Sequence, residues 1–306
     1  MLIVLAQMSL LIACGTLWKV AAPAHISALA HRRALTDLVF YILFPALVLD
    51  VIWCAPLDSS SLHISFLATC GILIGLSTMW LFMRFVKANK KQTGTLLLAA
   101  AFPNATYLGL PILDQVIGPD SRVIVLQYDL FACTPILLSL GMLLAQHYGD
   151  NERTSHLLSQ LIRIPPLWAV AIGITLNFSG IEQPEILDSV LSLLAAGVVP
   201  LMLIVLGMSI RWQSLRLQFM NLLLPVVIIS LILVPFSLFG LSHLIGINSY
   251  LITPVVLISA MPSMVFGIVI CERYGMDGEL YAAAVTLTTI CSLVTLPLWF
   301  QWLSVN

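Results

Sequence analysis

Long apolar runs separated by short polar connections recur along the whole chain. A bilayer core about 30 Å thick needs about 20 apolar residues per helix, and the runs approach that length. We predict that each run forms one membrane-spanning α-helix and that residues 1–306 form one membrane domain. The ten predicted spans cover residues 2–22, 36–55, 62–85, 94–117, 123–147, 164–180, 189–209, 219–243, 250–271 and 280–303.

Composition supports this class of protein. Hydrophobic residues make up 60% of the chain and charged residues 9%, whereas soluble domains average about 45–50% and about 25%. We therefore predict an all-α integral membrane protein. A net charge of -1 gives no sign of a nucleic-acid partner. The six cysteines lack the CxxC spacing of a zinc site, so we expect neither a metal nor another cofactor.

The charged residues orient the predicted helices. Cytoplasmic connections carry an excess of Lys and Arg, and only Arg122 lies in an even-numbered connection. The basic residues in or beside the odd-numbered connections are Arg32, Arg33, Arg84, Lys87, Lys90, Lys91, Arg153, Arg163, Arg211, Arg216 and Arg273. The acidic residues of the even-numbered connections are Asp58, Asp120, Glu182, Glu185 and Asp188. We therefore predict a multi-pass protein of the cell inner membrane with both termini on the non-cytoplasmic side. No Lys or Arg precedes the first run, which predicts a span and not a signal peptide.

The fourth predicted span is interrupted by Pro103-Asn104 and again by Gly109 and Pro111. Proline removes a backbone donor and clashes with the preceding turn, so an uninterrupted helix would suit lipid better. One explanation is a discontinuous helix whose freed backbone groups line a cavity, as at the substrate sites of secondary transporters. The other is a plain proline kink, satisfied by neighbouring helices and water. This stretch alone does not separate the two.

The chain also carries signs of an internal repeat. Placing Pro103-Asn104 on Pro262-Ser263 superimposes the fourth span on the ninth, and a short Gly-x-Asp connection follows each. We predict two five-helix repeats, about 1–147 and 164–303, with a connection at about 148–163. Because five is odd, the second repeat must be inverted in the membrane relative to the first. Interrupted spans at corresponding places in two halves are typical of a transporter's binding site.

The nine residues from Pro103 to Pro111, PNATYLGLP, resemble the PNxxYxGxP signature of the auxin efflux carrier family, whose bacterial members include malonate-type and malate-type transporters. Similar stretches lie at 43–50, 200–207 and 260–299. The resemblance implies a ten-helix inverted-repeat fold like that of sodium/proton antiporters and bile-acid symporters. Broken helices 4 and 9 would cross at the site, and helices 3–5 and 8–10 would move against helices 1, 2, 6 and 7.

The same resemblance implies a secondary active transporter that moves a small organic anion, such as a carboxylate, by alternating access. A cation/proton antiporter or a sodium-coupled symporter of the same fold is the alternative, and a homodimer is left open. The chain lacks the HExxH, GxSxG and DDxxD motifs of membrane enzymes, so we predict that it is not an enzyme.

The two breaks carry the predicted substrate site. A helix that restarts near the membrane midplane presents free N–H groups whose partial positive charge favours an anion. Asn104 and Ser263 are good N-cap residue types, and their side chains could instead contact a ligand. Because Ser263 stands where Asn104 stands in the first half, the two halves need not bind alike. The predicted substrate-binding residues are Pro103, Asn104, Thr106, Tyr107, Pro262 and Ser263.

Asp129 is the predicted coupling residue, because it lies well inside the fifth span. An ionised carboxylate within a membrane is costly, so it needs a partner or a task. Asp129 would bind a proton or a sodium ion, or pair with another group of the bundle. Asp50 and Asp114 lie near helix ends, where we expect them at the membrane interface.

Overall fold

A computed structural model describes residues 2–21, 27–55, 57, 59–150, 164–210 and 219–305. Within these ranges the fold is all-α, and the only strand-like pairing is one isolated bridge. We label the helices in chain order as α1 (Leu2–Ala21), α2 (Ala28–Cys54), α3 (Ser59–Met83), α4 (Lys90–Ala101), α5 (Leu110–Val116), α6 (Ser121–Tyr148), α7 (Pro165–Phe178), α8 (Glu185–Ser209), α9 (Met220–Ile245), α10 (Ser249–Ser259), α11 (Phe266–Tyr274) and α12 (Gly278–Leu303).

Six of these helices are long and apolar enough to cross a membrane, counted over the described ranges: α2, α3, α6, α8, α9 and α12. Helices α7 and α10 are shorter apolar helices, as is Ala6–Ala21 within α1. The fourth predicted span is divided into α4 and α5, and the ninth into α10 and α11. Both interruptions fall at the Pro-containing pairs that the sequence singled out.

One predicted boundary is wrong. The second span was expected to begin at residue 36, but α2 begins at Ala28 and includes Arg32 and Arg33. The Ser27 hydroxyl accepts a hydrogen bond from the Ala30 N–H (3.2 Å), which caps the helix in advance of its apolar part. The apolar run therefore marks the start of the buried part of α2, because no residue of 28–38 is buried.

Hydrogen bonds between described residues join odd-numbered connections to odd-numbered ones and even-numbered to even-numbered ones. Lys19 Nζ donates to the Ile210 carbonyl (2.7 Å), and the Asp150 N–H donates to the Tyr274 carbonyl (3.1 Å). Asn177 Nδ2 donates to the Ala55 carbonyl (2.8 Å), and the hydroxyls of Ser60 and Tyr250 are 3.1 Å apart. The members of each joined pair therefore lie at the same end of the bundle.

Four helical turns are widened into π turns immediately before a proline. In each, the residue before proline donates its N–H to the carbonyl five residues back, which spares the proline ring a clash with the carbonyl four residues back. The turns and their prolines are Val39–Leu43 with Pro45, Ala105–Gly109 with Pro111, Asp129–Cys133 with Pro135, and Ile229–Leu233 with Pro235.

Helices α1 and α8 cross at very close range because both have a glycine at the crossing. A Cβ atom on Gly207 would lie 1.9 Å from the Ile12 carbonyl oxygen, and one on Gly15 would lie 2.0 Å from the Ile204 carbonyl oxygen. The Thr16 hydroxyl also donates a hydrogen bond to the Gly207 carbonyl (3.1 Å). Only glycine allows these backbones to approach so closely, which fixes α1 against α8.

Candidate functional site

The two interrupted segments meet each other in the interior of the bundle. Pro103 and Ser263 form an antiparallel bridge. The Asn104 N–H donates to the Pro262 carbonyl (2.7 Å), and the Met264 N–H donates to the Phe102 carbonyl (3.0 Å). Each break therefore satisfies backbone groups that the other leaves free, as membrane-buried backbone requires.

Proline explains where the first break forms and how its freed carbonyl is satisfied. Pro103 has no N–H, so it cannot donate to the Ala99 carbonyl in the preceding turn. The Ser263 hydroxyl donates to this carbonyl instead (2.6 Å). The Ser263 N–H donates in turn to the Thr288 hydroxyl of α12 (3.1 Å). Ser263 therefore fastens the second break to the end of α4 and to α12.

The Asn104 side chain is buried but not fully paired. It is 2% exposed, and its Nδ2 atom has no hydrogen-bond partner among the described residues. It makes no capping hydrogen bond to the turn that follows. The sequence left open whether Asn104 and Ser263 cap their half-helices or contact a ligand, and neither side chain caps its half-helix in the described structure. Ser263 bonds to α4, α11 has Val265 as its N-cap residue, and Asn104 keeps an unused donor.

Asp129 lies against the first break, as expected from the sequence. The carboxylate is 6% exposed, and it accepts hydrogen bonds from the hydroxyl of Thr106, in the turn after the break, and from the hydroxyl of Thr134 (3.2 Å). The salt bridges Lys91–Asp150 and Arg122–Asp114 do not involve Asp129. A buried carboxylate is thus held by two neutral donors at the crossing.

The other predicted site residues also lie at the breaks. Pro103 and Pro262 are buried, and Tyr107 is half-buried in the π turn Ala105–Gly109 that precedes α5. Tyr281 on α12 was not predicted from the sequence; its hydroxyl donates to the Met264 carbonyl (3.1 Å). Its ring lies so close to Gly267 that a Cβ there would be 2.0 Å away. A tyrosine facing a glycine 14 residues earlier carries no local sequence signal.

A cavity of about 420 Å³ opens between α2, α5, α6 and α8. Its wall includes Asp50, Asp114 and Arg122, and it extends to Leu110, the first residue after the π turn of the break. Arg122 donates to both carboxylate oxygens of Asp114, at 2.7 and 2.9 Å. From the sequence, Asp50 and Asp114 were expected only near helix ends, at the membrane interface. One feature of the sequence could have indicated this cluster: Arg122 is the single basic residue in the even-numbered connections, which are otherwise acidic.

Comparison with known proteins identifies the family. Residues 3–300 match the membrane transport protein family. The chain belongs to this family. It is the auxin efflux carrier-like group that the PNxxYxGxP signature indicated, so that resemblance is confirmed.

Relatives of this membrane transport protein occur in archaea and bacteria. An uncharacterized transporter of Methanothermobacter thermautotrophicus is 29% identical over 269 residues, which cover 87% of each chain. An uncharacterized transporter of Methanocaldococcus jannaschii is 27% identical over 286 residues, covering 90% of this chain and 91% of the relative. The uncharacterized transporter YfdV of Escherichia coli is 24% identical over 221 residues, covering 71% and 70%. The chain is thus similar to transporters over nearly its whole length.

Proposed function

We propose that this membrane transport protein is a secondary carrier that moves a small organic anion, a carboxylate, across the inner membrane by alternating access. The observation that carries the proposal is the Nδ2 atom of Asn104, a buried donor with no acceptor among the described residues, where two interrupted helices meet. A buried unsatisfied donor costs about 1–3 kcal/mol. A ligand that supplies the missing acceptor would remove this cost when it binds.

The proposed architecture is two inverted five-helix repeats, 1–147 and 164–303. The pairing of the breaks around Pro103 and Ser263 supports it, as do the hydrogen bonds that join odd-numbered connections to each other and even-numbered connections to each other. Helix α1 packs along α8, and α2 along α7, which gives a candidate scaffold. The remaining helices, α3–α6 and α9–α12, carry both breaks and would move against this scaffold. Both termini would lie on the non-cytoplasmic side, where the cavity would open.

The proposed site consists of Pro103, Asn104, Thr106, Tyr107, Pro262 and Ser263. Asn104 would donate to the substrate carboxylate, whereas Ser263 is already bonded to Ala99 and would hold the second break in place. The turn after Asn104 adds partial positive charge from its backbone N–H groups. These partial charges neutralise an anion only incompletely. In the proposed coupling role, Asp129 would therefore bind a proton or a sodium ion that accompanies the substrate.

The alternative is a cation/proton antiporter or a sodium-coupled symporter of the same fold. The buried Asp129 carboxylate is the observation that favours it, because a carboxylate is the usual group for cation transfer within a membrane. The Asn104 donor favours the anion carrier, because an amide N–H cannot bind a cation. A dependence of anion binding on sodium or pH would show that both groups act in one cycle.

A thermal-shift screen of the purified protein tests the proposal. Malonate, acetate and indole-3-acetate represent dicarboxylates, monocarboxylates and indole acids. At least one class should raise the unfolding temperature of the wild type and fail to do so in Asn104→Ala. Ser242→Ala is the matched control, because Ser242 is also fully buried with an unpaired hydroxyl but lies on α9. An equal shift in Asn104→Ala and the wild type would contradict the proposed site.

A further inference from the structure

The turn that carries Asp129 is a π turn, and this geometry decides what its carboxylate can contact. In a regular α-helix each residue turns by about 100°, so residues five apart point about 140° away from each other. In a π turn the backbone hydrogen bond spans five residues instead of four, and positions 129 and 134 come close to one face. The structure shows the result: the Thr134 N–H donates to the Asp129 carbonyl, and the Thr134 hydroxyl donates to Asp129 Oδ1 (3.2 Å).

Pro135 favours this wide turn. A regular turn would place the Phe131 carbonyl against the Pro135 ring, and proline has no N–H to donate to it. The chain avoids the clash by bonding Thr134 one residue further back. The second donor to Asp129 is presented in the same way, because Thr106 lies in the π turn that precedes Pro111.

We infer that Pro135 and Thr134 are positioning residues that build a monovalent-cation site at Asp129, which takes a proton or a sodium ion. Pro135 opens the turn, the open turn brings the Thr134 hydroxyl onto the carboxylate, and Thr106 links the carboxylate to the first break. The inference deepens the proposed function and rests on the coupling role that we propose for Asp129. On this inference, the widened backbone turn in α6, which itself adds no charge, sets the affinity of Asp129 for the cation.

The titratable surroundings of Asp129 are few. Tyr128 and Cys133 lie on α6 itself, and Tyr107 approaches from the turn after the first break. Helices α3 and α7 also pack against the π turn. The titratable side chains of α3 are His63 and Cys70, and α7 has none. The cation bound at Asp129 would therefore be balanced by that carboxylate alone.

Labelling of the full-length protein with dicyclohexylcarbodiimide tests the inference without requiring transport. The reagent modifies protonated carboxyl groups, and mass spectrometry locates and quantifies the product at Asp129. Rates are measured at acidic, neutral and alkaline pH, with and without sodium, and Asp129→Asn gives the background. Slower labelling with added sodium at constant pH identifies sodium as the cation, and dependence on pH alone identifies the proton.

Thr134→Val should increase the labelling rate at neutral pH about tenfold, because the charged carboxylate loses a hydrogen bond and such bonds are worth about 1.5–3 kcal/mol. Thr134→Ser, which keeps the hydroxyl, should stay within about twofold of the wild type. Pro135→Ala should resemble Thr134→Val because the turn can close to a regular one. Pro235→Ala is the matched control, since it closes the equivalent π turn Ile229–Leu233 in α9, which has no acidic residue.

The inference is overturned if Thr134→Val labels like the wild type, if Thr134→Ser labels like Thr134→Val, or if Pro235→Ala changes the rate as much as Pro135→Ala. It is also overturned if wild-type Asp129 is unlabelled at every pH, because a coupling cation must reach the carboxylate. If the Asp129 labelling rates change as expected but no carboxylate raises the unfolding temperature, the cation site is supported and the anion carrier is contradicted. If a carboxylate raises the unfolding temperature but the labelling rates do not change as expected, the anion carrier is supported and the cation site is contradicted.

Discussion

Replacing Asn104 with alanine separates a ligand-binding residue from a structural one, because the two roles predict opposite effects. The Nδ2 atom is buried and lacks an acceptor in the described structure, so it contributes no hydrogen bond to the fold. Removing it relieves a penalty of about 1–3 kcal/mol and loses a similar amount of packing. We expect the free energy of unfolding to change by less than about 1 kcal/mol.

Binding should respond much more strongly to Asn104→Ala. A hydrogen bond to a charged group is worth about 1.5–3 kcal/mol. Its loss would weaken the affinity for a carboxylate by about 10- to 150-fold. The assay measures thermal unfolding of the purified protein and the substrate dependence of its shift on the same samples.

Ser263→Ala provides the contrast on the other side of the crossing. It removes the donor to the Ala99 carbonyl, which Pro103 cannot satisfy. We expect Ser263→Ala to lower the free energy of unfolding by about 1–3 kcal/mol. If Asn104→Ala destabilises the protein as much as Ser263→Ala and binds the carboxylate normally, the assignment of Asn104 as a ligand donor is refuted.

Three further predictions concern topology, coupling and packing. A phosphatase reporter fused after Asn306 should be active because it would lie outside the cytoplasm, and an inactive fusion at normal expression would overturn the ten-span arrangement. Asp129→Asn, which mimics the protonated acid, should bind the carboxylate but lose the dependence of binding on pH or sodium; dependence on both as in the wild type would make Asp129 structural. Gly207→Ala should lower the free energy of unfolding by about 1–3 kcal/mol because its Cβ would collide with the Ile12 carbonyl. Gly240→Ala should leave the free energy of unfolding unchanged because a Cβ there meets nothing within 4 Å.

The sequence predicted the features that depend on local chemistry. Proline weakens a helix by removing a backbone donor, so Pro103 and Pro262 marked possible breaks without a structure. Proline alone does not separate a break from a kink, because Pro225, Pro254 and Pro297 lie inside continuous helices. The burial of Asp129 could be predicted because it lies within a long apolar run, away from the polar connections at the ends of that run. These features need no knowledge of what lies opposite in the bundle.

The contacts between distant residues could not be predicted in the same way. From the sequence, the Ser263 hydroxyl could cap its own half-helix or contact a ligand, but it bonds to the Ala99 carbonyl 164 residues away. That carbonyl is available only because Pro103 leaves it free. Likewise, the Asp129–Thr134 hydrogen bond depends on a π turn, and residues five apart do not face each other in the regular helix that the apolar pattern predicts.

Carboxylate flux in proteoliposomes tests the central claim most directly. The purified protein is reconstituted, loaded with unlabelled malonate, acetate or indole-3-acetate, and supplied with the labelled form of the same acid outside. A secondary carrier predicts saturable uptake of at least one acid, accelerated by the unlabelled acid inside and lost in Asn104→Ala. Uptake that rises linearly with concentration, that ignores the acid inside, or that is unchanged in Asn104→Ala would contradict an anion carrier with its site at the crossing.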